Sequence, residues 1–331
     1  MSVTWHTKLG VLLAVAVTAH LLLDFVNIEF NPKSLLMKSM VIMLAFHENL
    51  TKHSQNDGYG KRLNRELLQS RSQTHTTLVT ASCIGRLGNQ MFIYASLLGI
   101  AADNHKLAVI TRQGCRALNI FRNLSMSTWN ESQVALFTND TAFEVINSHQ
   151  HRTFDDKLMN LRPDRNYRLS GYLQSWRYFV NVSHQLRSSE FAFNDDVDEK
   201  CEQLFQTILN SVTNGSRSTK CAFVGMHARR GDHVKIKRYR AASSDYLKRA
   251  VRYMKQRQIA RRDSAPRRAH VDLCVLSRCD HTIMSVGTFG WWAAFLANGI
   301  TVYQKDFAPP ESGLLKITRP ADHYLPDWVP L

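Results

Sequence analysis

Two adjacent arginines followed at once by a glycine, in the run His227-Ala228-Arg229-Arg230-Gly231-Asp232, are the residues whose types most directly imply chemistry. They follow the apolar run Ala222 to Met226, so a strand delivers them at its C-terminal end, and Gly231 lets the backbone come close to whatever they hold. Guanidinium groups stay charged and present a planar fork of donors, which matches the oxygens of a diphosphate. Fixed in place, they would stabilise charge developing on a departing nucleotide without a metal ion. Taken alone, the six residues read equally well as a surface ion pair with Asp232.

Two glycine-bounded turns could add to such a site. Gly85-Arg86-Leu87-Gly88-Asn89-Gln90 sits between an apolar strand and a helix, where the first helical N–H groups favour anions. It lacks the spacing of a dinucleotide fingerprint, and taken alone it reads rather as a strand-to-helix turn dictated by packing. Gly287-Thr288-Phe289-Gly290 repeats the geometry, with hydroxyls from Ser285 and Thr288. Trp291 and Trp292 follow on an apolar helix and read as core rather than as a stacking platform for a base. Asp196-Val197-Asp198 has the form of a metal-binding Asp-X-Asp, but with Asn194 and Asp195 it leads into helical spacing over Glu199 to Ile208. Acids belong in a first helical turn, so we read it as a helix start. Asp155-Asp156 has still less context.

The elements that must position these residues follow from hydrophobic spacing. Leu78 to Cys83 reads as a buried strand, Asn89 to Ala102 as a helix and Leu107 to Thr111 as a second strand. Ala222 to Met226 is a strand followed by helical periodicity from Asp245 to Gln258. Thr282 to Val286 is a strand, Trp291 to Ala297 a helix and Ile300 to Gln304 a strand. Strands alternating with helices imply parallel sheets covered on both faces, with ligands beyond the C-terminal strand ends.

The chain has 331 residues, 44% of them hydrophobic and 21% charged, which excludes disordered and fibrous classes. Its net charge of +15 calls for an anionic partner. From Lys235 to Arg268 only Asp245 and Asp263 interrupt a basic stretch. No nucleic-acid motif with interleaved aromatics accompanies it, so it reads as a solvated basic helix and loop that raises the local potential for an anionic donor. Residues 9–28 are apolar enough for one short membrane span, with 1–8 as a cytoplasmic tail and 29–75 as a stem; a cleaved signal peptide is the other reading. Asn-X-Ser/Thr acceptors begin at Asn49, Asn123, Asn130, Asn139, Asn181 and Asn214, all after that segment, and place the body of the chain in the secretory lumen. The six cysteines contain no Cys-X-X-Cys pair, so they suggest one or two disulfides rather than zinc, with the pairing open.

Together these residues resemble the α-1,2-fucosyltransferases, which place fucose on the 2-hydroxyl of galactose. The resemblance rests on Gly85 to Phe92, on Gly171-Tyr172-Leu173-Gln174-Ser175-Trp176-Arg177-Tyr178-Phe179, on Val224 to Asp232, on Thr282 to Ala293, and on the tail around Leu315 and Trp328. It runs from about Thr80 to the C-terminus. It implies a GT-B-like α/β fold of two Rossmann-like domains facing a cleft, here 76–215 on the acceptor side and 216–331 on the donor side. It also implies a Golgi type II membrane protein, GDP-fucose as donor, a terminal β-galactoside acceptor, inversion, and neither metal nor cofactor. Carried over by position, Arg229 and Arg230 would bind the diphosphate, and His227 and Asp232 would complete that site. Ser285, Thr288 and Phe289 would line the nucleotide pocket, and Gly85, Arg86, Asn89 and Gln90 would face it across the cleft. Asp232 is the carboxylate nearest by motif to serve as base.

The chain departs from the family in one place. Between Tyr246 and Cys279 the family has a further apolar strand and an acidic stretch, whereas Arg257 to His270 cannot form that strand. The donor half is therefore shortened near 257–272, which would leave its neighbours' backbone groups exposed.

Overall fold

Four consecutive buried residues, Leu78–Ala81, form β2, a strand with no polar face and hence one that must be covered on both sides. The computed structural model describes residues 39–47, 77–111, 114–130, 132–133, 143–148, 151–213, 221–229, 238–256 and 269–331. The expected tail and span at 1–28, the rest of the stem, Arg230, Gly231, Asp232 and residues 257–268 lie outside them. Among the described residues no helix is long and apolar enough to cross a membrane.

The chain divides into two units. The N-terminal unit comprises Leu50–Asp198 and Pro310–Trp328. Its sheet runs β4(Ser127–Trp129), β3(Leu107–Thr111), β2, β6(Asn166–Ser170), β5(Phe143–Asn147), with every pairing parallel. Strand order reverses between β2 and β6, so the crevice for a ligand in this sheet lies beyond Ala81 and Ser170. Helix α1, Leu87–Asp103, is buried on nearly all sides, which is why its sequence lacks a polar stripe. Gly99 permits this: a Cβ there would stand 2.0 Å from the carbonyl oxygen of Tyr178.

The C-terminal unit comprises Met1–Asn49, Glu199–Pro309 and Val329–Leu331. Its sheet runs β1(Ser39–His47), β7(Cys221–Arg229), β8(His281–Met284), β9(Thr301–Tyr303), β10(Val329–Pro330), parallel except for antiparallel β1. Helix α3, Ser244–Lys255, packs Tyr246, Leu247, Ala250 and Met254 against Ala222, Val224, Met226 and Ala228 on one sheet face. Alternate residues of β7 meet the other helices. Phe223 lies against Phe205 of α2, Asp195–Thr213; Gly225 against Leu276 of α4, Ala269–Ser277; and His227 against Phe289 of α5, Thr288–Ala297. Trp291, Trp292 and Phe295 stack within this core, as expected of an apolar helix; burying each contributes about 2–3 kcal/mol.

Three outcomes differ from, or sharpen, the sequence reading. Ser39–His47, inside the segment read as a stem, is a sheet strand, consistent with its uninterrupted apolar run Met40 to Phe46. The unit boundary falls within α2 rather than at 215, and Pro310–Trp328 returns to the N-terminal unit. That return is held by Asp322, which is buried, accepts from the Phe154 N–H and pairs with Arg177, and by the Ser175 hydroxyl donating to the Asp322 carbonyl. The cysteines resolve as Cys83–Cys115 and Cys201–Cys274, leaving Cys279 buried, its thiol pKa raised by desolvation. Asp196-Val197-Asp198 lies in the first turn of α2, where the Val197 N–H donates to Asn194 Oδ1, the expected helix start.

Candidate functional site

At the C-terminal ends of β7 and β8 the two strands are zipped by one serine. The Ser285 N–H donates to the His227 carbonyl at 3.0 Å, and the Arg229 N–H donates to Ser285 Oγ at 2.7 Å. Ser285 is fully buried, so its hydroxyl braces the turn that presents Arg229. Tyr246 adds a second brace by donating its hydroxyl to the Met284 carbonyl at 2.6 Å.

The chain then turns through Gly287 into α5. Gly287 has φ +100°, a conformation that L side chains rarely adopt. Gly287 is itself buried, and among the described residues a Cβ built on it would come near only Arg229 Nη1, at 3.8 Å, so a guanidinium borders the turn. Gly287 is the N-cap of α5 and supplies no side-chain cap, so the positive end of the helix dipole is directed at the same place. Thr288 and Phe289 are half-exposed beside it. His227 is almost completely buried: its ring lies 5.1 Å from that of Phe289, and a Cβ on Gly290 would stand 2.6 Å from its Nδ1. Its position therefore shapes the floor under the turn, and Gly290 is the residue small enough to allow it.

The Gly85 turn of the N-terminal unit has a different character. Gly85 has φ +78°, and Arg86 is an exposed N-cap residue of α1. Gln90 is buried and used at both ends of its amide: Nε2 donates to the Gly85 carbonyl and Oε1 accepts from the Ala117 N–H. Asn89 Oδ1 accepts from Gln174 Nε2, Gln174 Oε1 accepts from Arg152 Nε, and the Gln174 carbonyl lies 2.8 Å from His323 Nδ1. Burial, and next the positive charge of Arg152, hold the His323 pKa well below the usual histidine value, so that ring is neutral near pH 7. Gln174, Arg152 and His323 were not singled out as site residues from the sequence. Gln174 stood in a quoted motif, but nothing in its spacing signalled a partner 149 residues away.

The structure therefore gathers Arg229, His227, Ser285, Thr288 and Phe289 around one turn of the C-terminal unit, and Gly85, Arg86, Asn89 and Gln90 around one turn of the N-terminal unit. Arg230 and Asp232 lie outside the described residues. An α/β protein whose strand-to-helix turn combines a guanidinium, a helix N-terminus and a positive-φ glycine can hold a phosphate-bearing ligand.

The chain belongs to glycosyl transferase family 11, whose sequence model matches residues 26–262 and 263–331. Mouse galactoside alpha-(1,2)-fucosyltransferase 2 is 31% identical over 284 residues, covering 76% of this chain and 78% of that one. Human galactoside alpha-(1,2)-fucosyltransferase 1 is 30% identical over 285 residues, covering 74% and 72%. A solved structure of a mutant Arabidopsis thaliana FUT1 in complex with GDP is similar with a TM-score of 0.40 and 12% identity over 77% of this chain and 76% of that one, too remote to carry an argument about residues.

Proposed function

We propose that the protein transfers L-fucose from GDP-fucose to the 2-hydroxyl of terminal β-galactosides, with the donor held at the Gly287 turn. One observation carries this reading: the positive-φ glycine at the start of α5 with Arg229 Nη1 3.8 Å from its would-be side chain. The two units correspond to the acceptor and donor halves of a GT-B-like enzyme, and the relatives named above support the sugar and the linkage.

In this reading the acceptor O2 attacks the anomeric carbon of fucose. The bond from that carbon to the β-phosphate oxygen breaks, its electron pair stays on GDP, and the hydroxyl proton passes to a base, for which Asp232 is the candidate. Inversion follows from a single displacement. Arg229, joined by Arg230, and the α5 N-terminus meet the charge appearing on the diphosphate, a role that otherwise falls to a divalent cation, so the reading is metal-independent. The expected N-terminal anchor, the exposed acceptors Asn123, Asn130 and Asn181 and the two disulfides fit a type II protein of the Golgi lumen.

The test is transfer of labelled fucose from GDP-fucose to a phenyl β-galactoside, alongside calorimetric titration with GDP, for the parent and for Arg229→Ala. Equal transfer by the two proteins would reject the site. A second reading, a lumenal nucleotide- or glycan-binding protein of the same fold without turnover, is favoured by the shortening near 257–272 and by the break of the family match at Arg262/Asp263. GDP binding without transfer would select it.

A further inference from the structure

Strand β7 is buried on both faces. Ala222, Val224, Met226 and Ala228 lie under α3, while Phe223, Gly225 and His227 lie against α2, α4 and α5. The chain leaves α3 on one face of the sheet and enters α4 on the opposite face. In a wound α/β sheet a strand commonly makes that passage. Here the next strand in sequence among those described is β8, which already pairs with the other edge of β7. Without another segment, the second edge of β7 would present a row of unpaired N–H and C=O groups in a strand that is otherwise core. Ser39–His47 fills that edge over the whole length of β7, from Ser39 opposite Arg229 to His47 opposite Cys221. It runs antiparallel in a sheet that is otherwise parallel, as a segment recruited from elsewhere in the chain can.

We propose that Ser39–His47 is a surrogate strand: it completes the edge of β7 opposite β8, and its N-terminal end positions the Arg229 end of β7. The described part of the C-terminal unit therefore includes Ser39–His47, inside the region read as a stem. The register carries the positioning claim, because Ser39, Met40 and Val41 stand opposite Arg229, Ala228 and His227. The part that concerns Arg229 rests on the donor reading above, whereas the strand itself does not.

A proline scan of Met40 to Phe46 in the full chain tests both parts. In an edge strand alternate N–H groups point at the partner and at solvent, so proline is harmful at every second position and tolerated between. Thermal melting should show a two-residue period, with the harmful set lowering the midpoint by about 5–10 °C. Hydrogen exchange should localise the damage. Prolines of the harmful set near Met40 should expose alternate amides of Met226 to Arg229, and those near Phe46 the amides of Ala222 to Val224. A melting profile without the two-residue period, or exchange unchanged along β7, overturns the proposal. GDP titration of folded variants then separates positioning from stability. Harmful prolines near Met40, at the Arg229 end, should weaken GDP at least tenfold more than those near Phe46, at the Ala222 end, and equal affinities would remove the positioning role. If the parent binds no GDP, the donor reading fails by itself, and periodicity with end-specific exchange still decides the strand and its hold on the Arg229 end.

Discussion

Two strand-to-helix turns, one in each unit, look alike in sequence and differ in what surrounds them. Both follow a buried parallel strand, both contain a glycine at positive φ, and neither helix has a side-chain cap. Gly85 is exposed, but a Cβ there would stand 2.3 Å from Asn89 Nδ2, and Gln90, Gln174, Arg152 and the Cys83–Cys115 disulfide knit the turn to its unit. At Gly287 a Cβ would meet one guanidinium and nothing else among the described residues. Glycine thus serves one turn, exposed to solvent, as a close fit against a side-chain amide, and the other, buried in its unit, as the neighbour of a guanidinium. The same local motif stands beside a cationic group in one unit and beside a hydrogen-bonded amide network in the other.

Substitutions of the side chains around the two turns should therefore differ in what they damage: transfer at Arg229 and stability around Gly85. The largest effect is expected for Arg229→Ala, a loss of about 10²–10³-fold in fucose transfer, by analogy with removing one donor from a site of developing charge. Melting temperature should stay near the parent's, and initial-rate assays paired with calorimetry check both. Next, Cys83→Ser with Cys115→Ser should cost about 2–4 kcal/mol of stability, read by urea unfolding, because the disulfide closes the loop that carries the braced turn. A smaller loss of about 1–3 kcal/mol is expected for Gln90→Ala, which strands the Ala117 N–H; a melting temperature equal to the parent's would contradict the bracing role.

The smallest effect concerns pH. His323 has a folded pKa below the 6.5 of the exposed ring, so the unfolded chain binds the proton more readily. The stability from its burial is complete above pH 6.5 and falls as pH drops below that value, with a slope up to about 1.4 kcal/mol per pH unit for one proton. Denaturation midpoints from pH 7.5 to 5 should therefore decline in the parent and decline less in His323→Gln.

Much of this arrangement was legible in the sequence because it is local. The run Leu78 to Thr111 announces strand, turn, helix and strand through apolar spacing alone, and the observed elements differ from that reading by a few residues. Asp195 to Asp198 announced a helix start for the same reason. The clustering of His227, Arg229, Ser285 and Thr288 was legible only in part. Spacing placed each at a strand end, but that Ser285 braces the Arg229 backbone while His227 is buried beneath Phe289 depends on β7 and β8 being neighbours.

The sequence by itself determined the alternation of strands and helices, the cationic turn and the family, since each is written in residue types within a window of about a dozen positions. Tertiary structure decided which glycine turn stands beside a guanidinium and which beside an amide network, how the cysteines pair, that Pro310–Trp328 returns to the N-terminal unit, and that Ser39–His47 completes a sheet whose next strand begins at Cys221. These outcomes depend on contacts between segments tens to nearly two hundred residues apart. Their partners are selected by unpaired backbone edges and apolar surface that exist only once the sheets have formed.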